Sequence, residues 1–488
     1  MQAGLLSRTV RRAQWRALGI ATADLDKPAI AVVNTSSSLA ICYAHLDRVS
    51  TAVQGAIREA GGLAFEVRTA APSDGLSFAV GRRDFLGNAR DTMVSDVELM
   101  VGGAALDGMV LLSSCDSTTP AHLIAALKLD LPAVVVPCGY QRGGGGGDVF
   151  GLYEGVGAVA AGRMTEADLG RLADQAFACA GVCGGLGTAN TMHMLAEALG
   201  LALPGSAPVA GDNPRLLETA ARAGRRVVEL VAAGLRPRGI VGQPAIENAA
   251  RLLLAIGGAN SCVRHLAAIA QAAGRPFDVL AFLEREGRAV ARLCDIAPNG
   301  PAPMTALEAA GGTLAVLRRL WDRLALDAIN VSGESWRAIL GRVPEGPGPI
   351  ASLTQRAGAD PGLIVLRGNL AAGGALVRPG IAPAGLRRFS GPARLLADAE
   401  AGFAALREGN LRAGEVTVLK GGVDDFACAL HGAGLADRIA MVTDGGYSGL
   451  SKGLVVGHVA PADGPFGAVR AGQTITIDLD ARRLDAQA

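Results

Sequence analysis

Cys115 and Asp116 stand side by side at the end of the apolar run Met109 to Leu112, among small polar residues that include Ser113, Ser114, Ser117 and Thr118. A thiolate is a ligand for iron or zinc and a carboxylate one for magnesium or manganese, so the pair joins soft and hard ligand chemistry at one point. Taken alone, it reads as a buried free cysteine beside a capping aspartate. Its position argues for more. The run has strand length, and Thr119 as N-cap with Pro120 as first helical residue starts a helix, because proline lacks only an N–H that would be unpaired there anyway. In open α/β sheets ligands bind beyond the carboxyl ends of strands, where this pair would lie.

The neighbouring elements must position it. Residues 28–34 read as a buried strand whose terminal loop, from Thr35, reaches Cys42, with a helix from about His45. Residues 62–68 read as a second strand followed by a turn, Pro72 to Gly75, then a helix from Arg90 to Met100; residues 131–137 form another strand. Strands alternating with helices at this spacing predict an α/β fold with a parallel, helix-covered sheet. Cys42, Asp74, Cys115 and Asp116 then share one sheet edge, as a composite site.

Composition narrows the class. A chain of 488 residues with half its positions apolar can build two or three domains. Its 46 basic and 45 acidic residues leave a net charge of +1 without long like-charge runs, which argues against nucleic acid or an anionic membrane surface and for a small polar substrate. Eight cysteines at irregular spacing do not make a disulfide framework. The arginine-rich N-terminus lacks the apolar core of a signal peptide, and no window has membrane-span length, so a soluble cytoplasmic protein is expected.

Further along, Gln141, Arg142 and the five glycines 143–147 predict a mobile loop, since glycine loses the most backbone entropy on ordering. Gly155 and Gly157 have nucleotide-loop spacing but fall at a helix start with no strand before them. Cys179 and Cys183 precede a helix beginning at Thr188, a placement that lowers a thiol pKa. Residues 214–340 are mostly helical in pattern, with Gly257 to Cys262 opening one helix. A Pro/Gly segment, residues 344–349, separates a domain over 1–345 from a β-rich one over 350–488. Within the latter, Thr443 to Gly449 exposes Ser448 on a glycine-framed turn, which alone reads as a tight hairpin. His45, His122 and His193 read as core or capping residues, and Cys138, Cys262, Cys294 and Cys428 as inert packing.

Six motifs in order, spread from Asn34 to Val459, resemble the dihydroxy-acid and sugar-acid dehydratases, phosphogluconate dehydratase among them. They are Asn34-Thr35 with Cys42 and His45; Ser73 to Gly75; Cys115-Asp116 with Thr119-Pro120; Cys183 with Thr188 to Asn190; Gly257 to Asn260; and Thr443 to Gly449 with Gly457 to Val459. The resemblance covers about Ser7 to Asp485. It implies a large parallel-sheet α/β domain with a smaller C-terminal β-barrel-like domain, assembled as a homodimer or a higher homo-oligomer such as a tetramer. It further implies a [2Fe-2S] cluster on Cys42, Cys115 and Cys183, a magnesium ion (Mg2+) on Asp74 and Asp116, and Ser448 as base. The expected activity is dehydration of a 2,3-dihydroxy carboxylate, either a sugar acid or a branched dihydroxy acid, to a 2-oxo acid: iron takes the C3 hydroxyl and Ser448 the C2 proton.

The sequence departs from that pattern in the magnesium shell. Ser117 stands where the family has a carbamylated lysine, no glutamate occurs in the shortened segment Lys420 to Phe426, Gly446 replaces an arginine of the serine turn, and the sequence ends at Ala488, short of the family's helical tail. Asp424 or Asp425 is a candidate substitute in the metal shell, and Cys179 a candidate substitute for Cys183. The second reading is a non-catalytic or regulatory paralogue with an impaired magnesium site.

Overall fold

A computed structural model describes residues 3–144, 147–344, 350–351, 360–383, 385–448 and 451–487. Most of the proposed linker and Gly449 therefore lie outside the described residues.

Four strands, β1 (Ala29–Asn34), β2 (Leu63–Arg68), β3 (Gly108–Ser113) and β4 (Ala133–Pro137), form a sheet in the order β2-β1-β3-β4. Every pairing is parallel. Every residue of β1, β3 and β4 is buried, as a sheet covered on both faces requires, and this explains their unbroken apolar character. Helix Leu46–Glu59 packs against helix Pro214–Ala233 on one face, and helix Thr118–Leu129 packs with helix Ser261–Ala272 on the other side of the strands. The helix after β3 begins at Thr118 with Ser117 as N-cap, so Thr119 is not the cap and Pro120 is the third helical residue. Proline is tolerated there for the same reason as at the first position, since the first four N–H groups of a helix have no intrahelical acceptor.

The second part is a nearly closed barrel of eight strands. β5 (Ile364–Leu366), β6 (Gly374–Val377), β7 (Arg388–Leu395), β8 (Val416–Leu419), β9 (Ala440–Thr443), β10 (Val455–Ala460), β11 (Thr474–Asp478) and β12 (Arg483–Ala486) run in the order β12-β11-β7-β8-β9-β10-β6-β5. Arg367, just past β5, accepts from Leu484 N at 2.9 Å and donates to Arg482 O at 3.0 Å, which brings the two edges together. Closure removes the exposed edges that an open sheet would present. The barrel fills with its own apolar cluster, including Leu366, Val416, Val442, Val456 and Ile477.

The pairing of β9 with β10 is parallel. The segment carrying Ser448 is therefore a crossover rather than a tight hairpin, and Ser448 is buried rather than exposed. Gly155 and Gly157 sit inside helix Val149–Ala160, not at its start. A Cβ on Gly157 would lie 1.8 Å from the carbonyl oxygen of Ala429. The glycine thus lets this helix meet helix Asp424–Gly432 backbone to backbone, and that contact joins the two parts of the chain. In the glycine-rich loop, Gly143 forms an isolated bridge with Phe177, and Arg142 is bonded to Asp212. Among the described residues no helix is long and apolar enough to cross a membrane.

Candidate active site

β1, β2 and β3 end on the same edge of the parallel sheet, and their terminal loops deliver Cys42, Asp74 and Cys115-Asp116 to one cavity. Cys183 arrives by a different route. Val182 N donates to Gly139 O at 3.0 Å and Val182 O accepts from Gln141 N at 2.7 Å, so this strand-like contact extends the edge beyond β4. A Cβ on Gly181 would stand 2.4 Å from the Tyr140 carbonyl carbon, and its φ is +142°, so only glycine fits this approach. Ser448 comes from the barrel and closes the same cavity, whose wall also includes Phe78, Phe150 and Asn190.

Three buried histidines brace the strand ends. His45 Nε2 meets Cys138 O at 2.6 Å, His122 Nδ1 meets Ser113 Oγ at 2.9 Å, and His193 Nε2 meets Ser114 O at 3.1 Å. Ser114 Oγ in turn donates to Cys42 O at 2.6 Å and ties the two cysteine loops together.

The thiols interact before any metal is considered. A hydrogen bond from Cys115 holds the Cys42 thiol below the usual range, and the same bond, with burial, pushes Cys115 well above it. Burial likewise pushes Cys183 upward. The helix at Thr188 therefore does not activate this thiol, which lies five residues before the helix.

Asp116 Oδ1 accepts from Ala189 N at 3.0 Å, so Asp116 does cap a helix, the one at Thr188–Ala198. Burial raises its carboxyl to about 6. Asp74 is raised well above the carboxylate range, first by burial and then by Asp116. Ser117 Oγ donates to Asp74 Oδ2 at 3.3 Å, while Asp74 Oδ1 is buried without a hydrogen-bond partner. Asp74, Cys115 and Asp116 place ligand atoms within 4.8 Å of one another, a group able to hold a metal ion. A buried carboxyl with an orphaned oxygen, raised further by a second carboxylate beside it, is the electrostatic signature of a cation site.

The remaining candidates separate. Asp424 Oδ1 accepts from Ser448 N at 2.5 Å and from Ser451 Oγ at 2.9 Å, so it fixes the serine turn. Asp425 pairs instead with Arg83, which also donates to Glu400 at 2.9 Å. Neither aspartate lines the cavity of the three thiols. Cys179 Sγ accepts from Arg142 N at 3.2 Å and also lies outside it. A larger cavity, about 870 Å³ near Arg163, Ile381 and Lys452, holds none of these groups.

Sequence reasoning missed Arg378. This arginine has no exposed surface, and burial lowers its guanidinium to about 10. It donates to Ser448 O at 2.9 Å, Gly257 O at 2.7 Å, Leu186 O at 3.2 Å and Asn299 Oδ1 at 3.2 Å. Asn260 Oδ1 accepts from Tyr447 N at 2.8 Å. The Gly257-to-Asn260 motif thus anchors the serine turn from the α/β side. The available signal was a charged residue closing the apolar strand Ala375 to Val377. Replacing Arg378 with methionine is expected to cost about 3 kcal/mol, because four buried acceptors lose one charged donor. A lowered urea midpoint together with lost turnover checks this.

A parallel sheet gathering thiols and carboxylates at its strand ends, with a barrel bringing a serine onto them, defines a class of two-part α/β proteins. The N-terminal profile of the dihydroxy-acid/6-phosphogluconate dehydratases matches residues 27–339 and the C-terminal profile residues 349–488. Proteins named dihydroxy-acid dehydratase are similar over nearly the whole chain. That of Methanococcoides burtonii is 34% identical over 98% of this chain and 90% of its own length. That of Methanothermobacter thermautotrophicus is 35% identical over 99% and 92%, and that of Chloroflexus aurantiacus 36% identical over 98% and 89%. The chain belongs to the dihydroxy-acid/6-phosphogluconate dehydratase family.

Proposed function

We propose that the chain is a hydro-lyase that removes water from a 2,3-dihydroxy carboxylate to give a 2-oxo acid. The observation that carries this reading is one cavity walled by Cys42, Cys115, Cys183, Asp74, Asp116 and Ser448. Relatives named dihydroxy-acid dehydratase support it. The reading assigns the ligands to residues 1–345 and the base to residues 350–488, in a homo-oligomer.

The donor set fits a metal cofactor, since three soft thiols face one space and Asp74 Oδ1 lacks a partner. Cys42, Cys115 and Cys183 would hold a [2Fe-2S] cluster and Asp74 with Asp116 a magnesium ion, supplying Lewis acidity for departure of the C3 hydroxyl. The protein's own groups do the remainder. Ser448, with its Oγ deprotonated, takes the C2 proton as the C3–O bond breaks and passes that proton to the departing hydroxide, which leaves as water, and the enol tautomerises to the 2-oxo acid. Serine is a weak base and needs nearby positive charge. Arg378, bonded to the Ser448 carbonyl, places a buried guanidinium beside it. Asp424 holds the Ser448 backbone, which keeps Oγ from turning away. An apolar cavity of about 380 Å³ adjoins the site, shares Cys42, Gly75 and Cys183 with it and is lined by Ile41, Leu76, Leu152 and Phe177. It supports a branched aliphatic dihydroxy acid over a polyhydroxylated one, whose tail hydroxyls would lose hydrogen bonds there.

One observation favours the regulatory reading. Ser117 offers Asp74 only a neutral hydroxyl at 3.3 Å, where a carbamylated lysine would bring charge. The test is anaerobic, iron- and sulfide-reconstituted protein assayed for 2-oxo acid across branched and sugar-derived dihydroxy acids. Turnover is expected, and Asp116→Asn should abolish it while leaving iron content unchanged. A fully iron-loaded protein that turns over none of the panel would favour the regulatory reading.

A further inference from the structure

Ser117 donates to Asp74 of the thiol cavity and itself lines a different space. Beyond it lies a second cavity of about 310 Å³, bordered by Arg90, Arg264, His265, Gly446 and His458. Donors outnumber acceptors in this wall. Neither ring nitrogen of His458 forms a hydrogen bond, the Asn260 backbone making only a weak approach, although the side chain is more than nine-tenths buried. His265 Nδ1 is likewise without a partner. Arg264 donates to Asp444 O at 2.9 Å and has no carboxylate ion pair among the described residues. One carboxylate lines the same cavity, Asp91, which pairs with Arg90 at 2.8 Å, while Asp444 Oδ1 accepts from Gly421 N at 2.8 Å.

The room comes from two small residues. A Cβ on Gly446 would stand 2.9 Å from His458 Cε1 and Nε2, so any side chain there would press on the ring. Ser117 Oγ is turned to Asp74 and leaves the space beyond it open. Unpaired buried imidazole nitrogens cost stability unless something binds them. Two guanidiniums against the single carboxylate of Asp91 leave one positive charge in excess, on Arg264, which fixes the sign of that ligand, and a planar guanidinium fork matches the oxygens of a carboxylate or phosphate.

We propose that this cavity binds a small oxyanion, of the size of inorganic phosphate or a short carboxylate, between the two arginines and the two imidazoles. Two sources share this chemistry: a free ion, or a second acidic group at the far end of a substrate. The site needs neither iron nor turnover, so its test stands apart from that of the dehydratase reading.

The experiment is equilibrium dialysis of the full chain against radiolabelled phosphate and radiolabelled acetate. One equivalent of at least one probe should bind saturably, and Arg90→Gln with Arg264→Gln should weaken it at least about tenfold, as loss of charge-assisted hydrogen bonds requires. Gly446→Leu keeps both arginines but fills the space, and it should also block uptake; melting curves verify that each variant is folded. Displacement of the probe only by dihydroxy acids bearing a second acidic group assigns the site to the substrate's far end. Displacement by neither kind assigns it to a free ion, and displacement by both assigns it to the carboxylate common to them. Absence of saturable uptake of both probes, or uptake unchanged in the folded variants, would overturn the proposal.

Discussion

Ser448→Ala is expected to lower kcat by at least about 10³-fold while leaving iron content and melting temperature close to those of the parent protein. Among the described residues, Ser448 is the one that the barrel contributes to the wall of the thiol cavity. Its backbone is held independently, by Asp424 through Ser448 N and by Arg378 through Ser448 O, so truncating the side chain leaves the turn in place. A loss confined to kcat would separate removal of a base from removal of a binding contact. Solvent deuterium exchange at C2 of a bound dihydroxy acid should vanish with it. Retention of more than a tenth of the activity would move the base elsewhere in the cavity.

Cys42→Ser, Cys115→Ser and Cys183→Ser are each expected to bring iron and acid-labile sulfide to background and abolish turnover, whereas Cys294→Ser should change neither. Thiolate is the soft ligand that iron–sulfur chemistry requires, and a hydroxyl is a poor substitute. Cys294 is fully buried but lies outside the cavity, and burial pushes its thiol to about 12. The Cys42–Cys115 hydrogen bond sharpens the comparison. Cys115→Ser removes the donor that favours thiolate at Cys42, so it disturbs two ligand positions at once. Alkylation of the metal-free protein at neutral pH should therefore label Cys42 fastest among the three and more slowly in Cys115→Ser.

The strands that build the thiol edge were legible because their signals are local. β1, β3 and β4 are unbroken apolar runs because both faces of the sheet are covered, and residues just past such runs must lie at the strand ends. The adjacency of Cys42, Asp74 and Cys115 then follows from parallel topology alone. Other parts depend on distant partners and left little local trace. β7 contains Gly391 and Pro392 and has mostly exposed positions, so it lacks a strand pattern. β12 is half charged and is defined by its pairing with β11. Ser448 read as exposed on a hairpin because glycines flank it, but Gly445 serves close approach: a Cβ there would fall 2.0 Å from Gly421 O. Asp424 and Asp425 are adjacent in sequence, yet one holds the serine turn and the other pairs with Arg83, a division that only the packing across the two parts decides.

The central claim is that the three thiols, two carboxylates and serine form one metal-dependent dehydratase site. The most direct measurement is a paired assay on anaerobically purified protein: iron and acid-labile sulfide per chain, and 2-oxo acid formed from a branched 2,3-dihydroxy acid by the same sample. The account predicts about two irons and two sulfides per chain, as a [2Fe-2S] centre requires, with 2-oxo acid formation that rises and falls with iron occupancy. Iron-free protein that forms the 2-oxo acid at the same rate, or protein unable to take up iron and sulfide with all three cysteines intact, would contradict it.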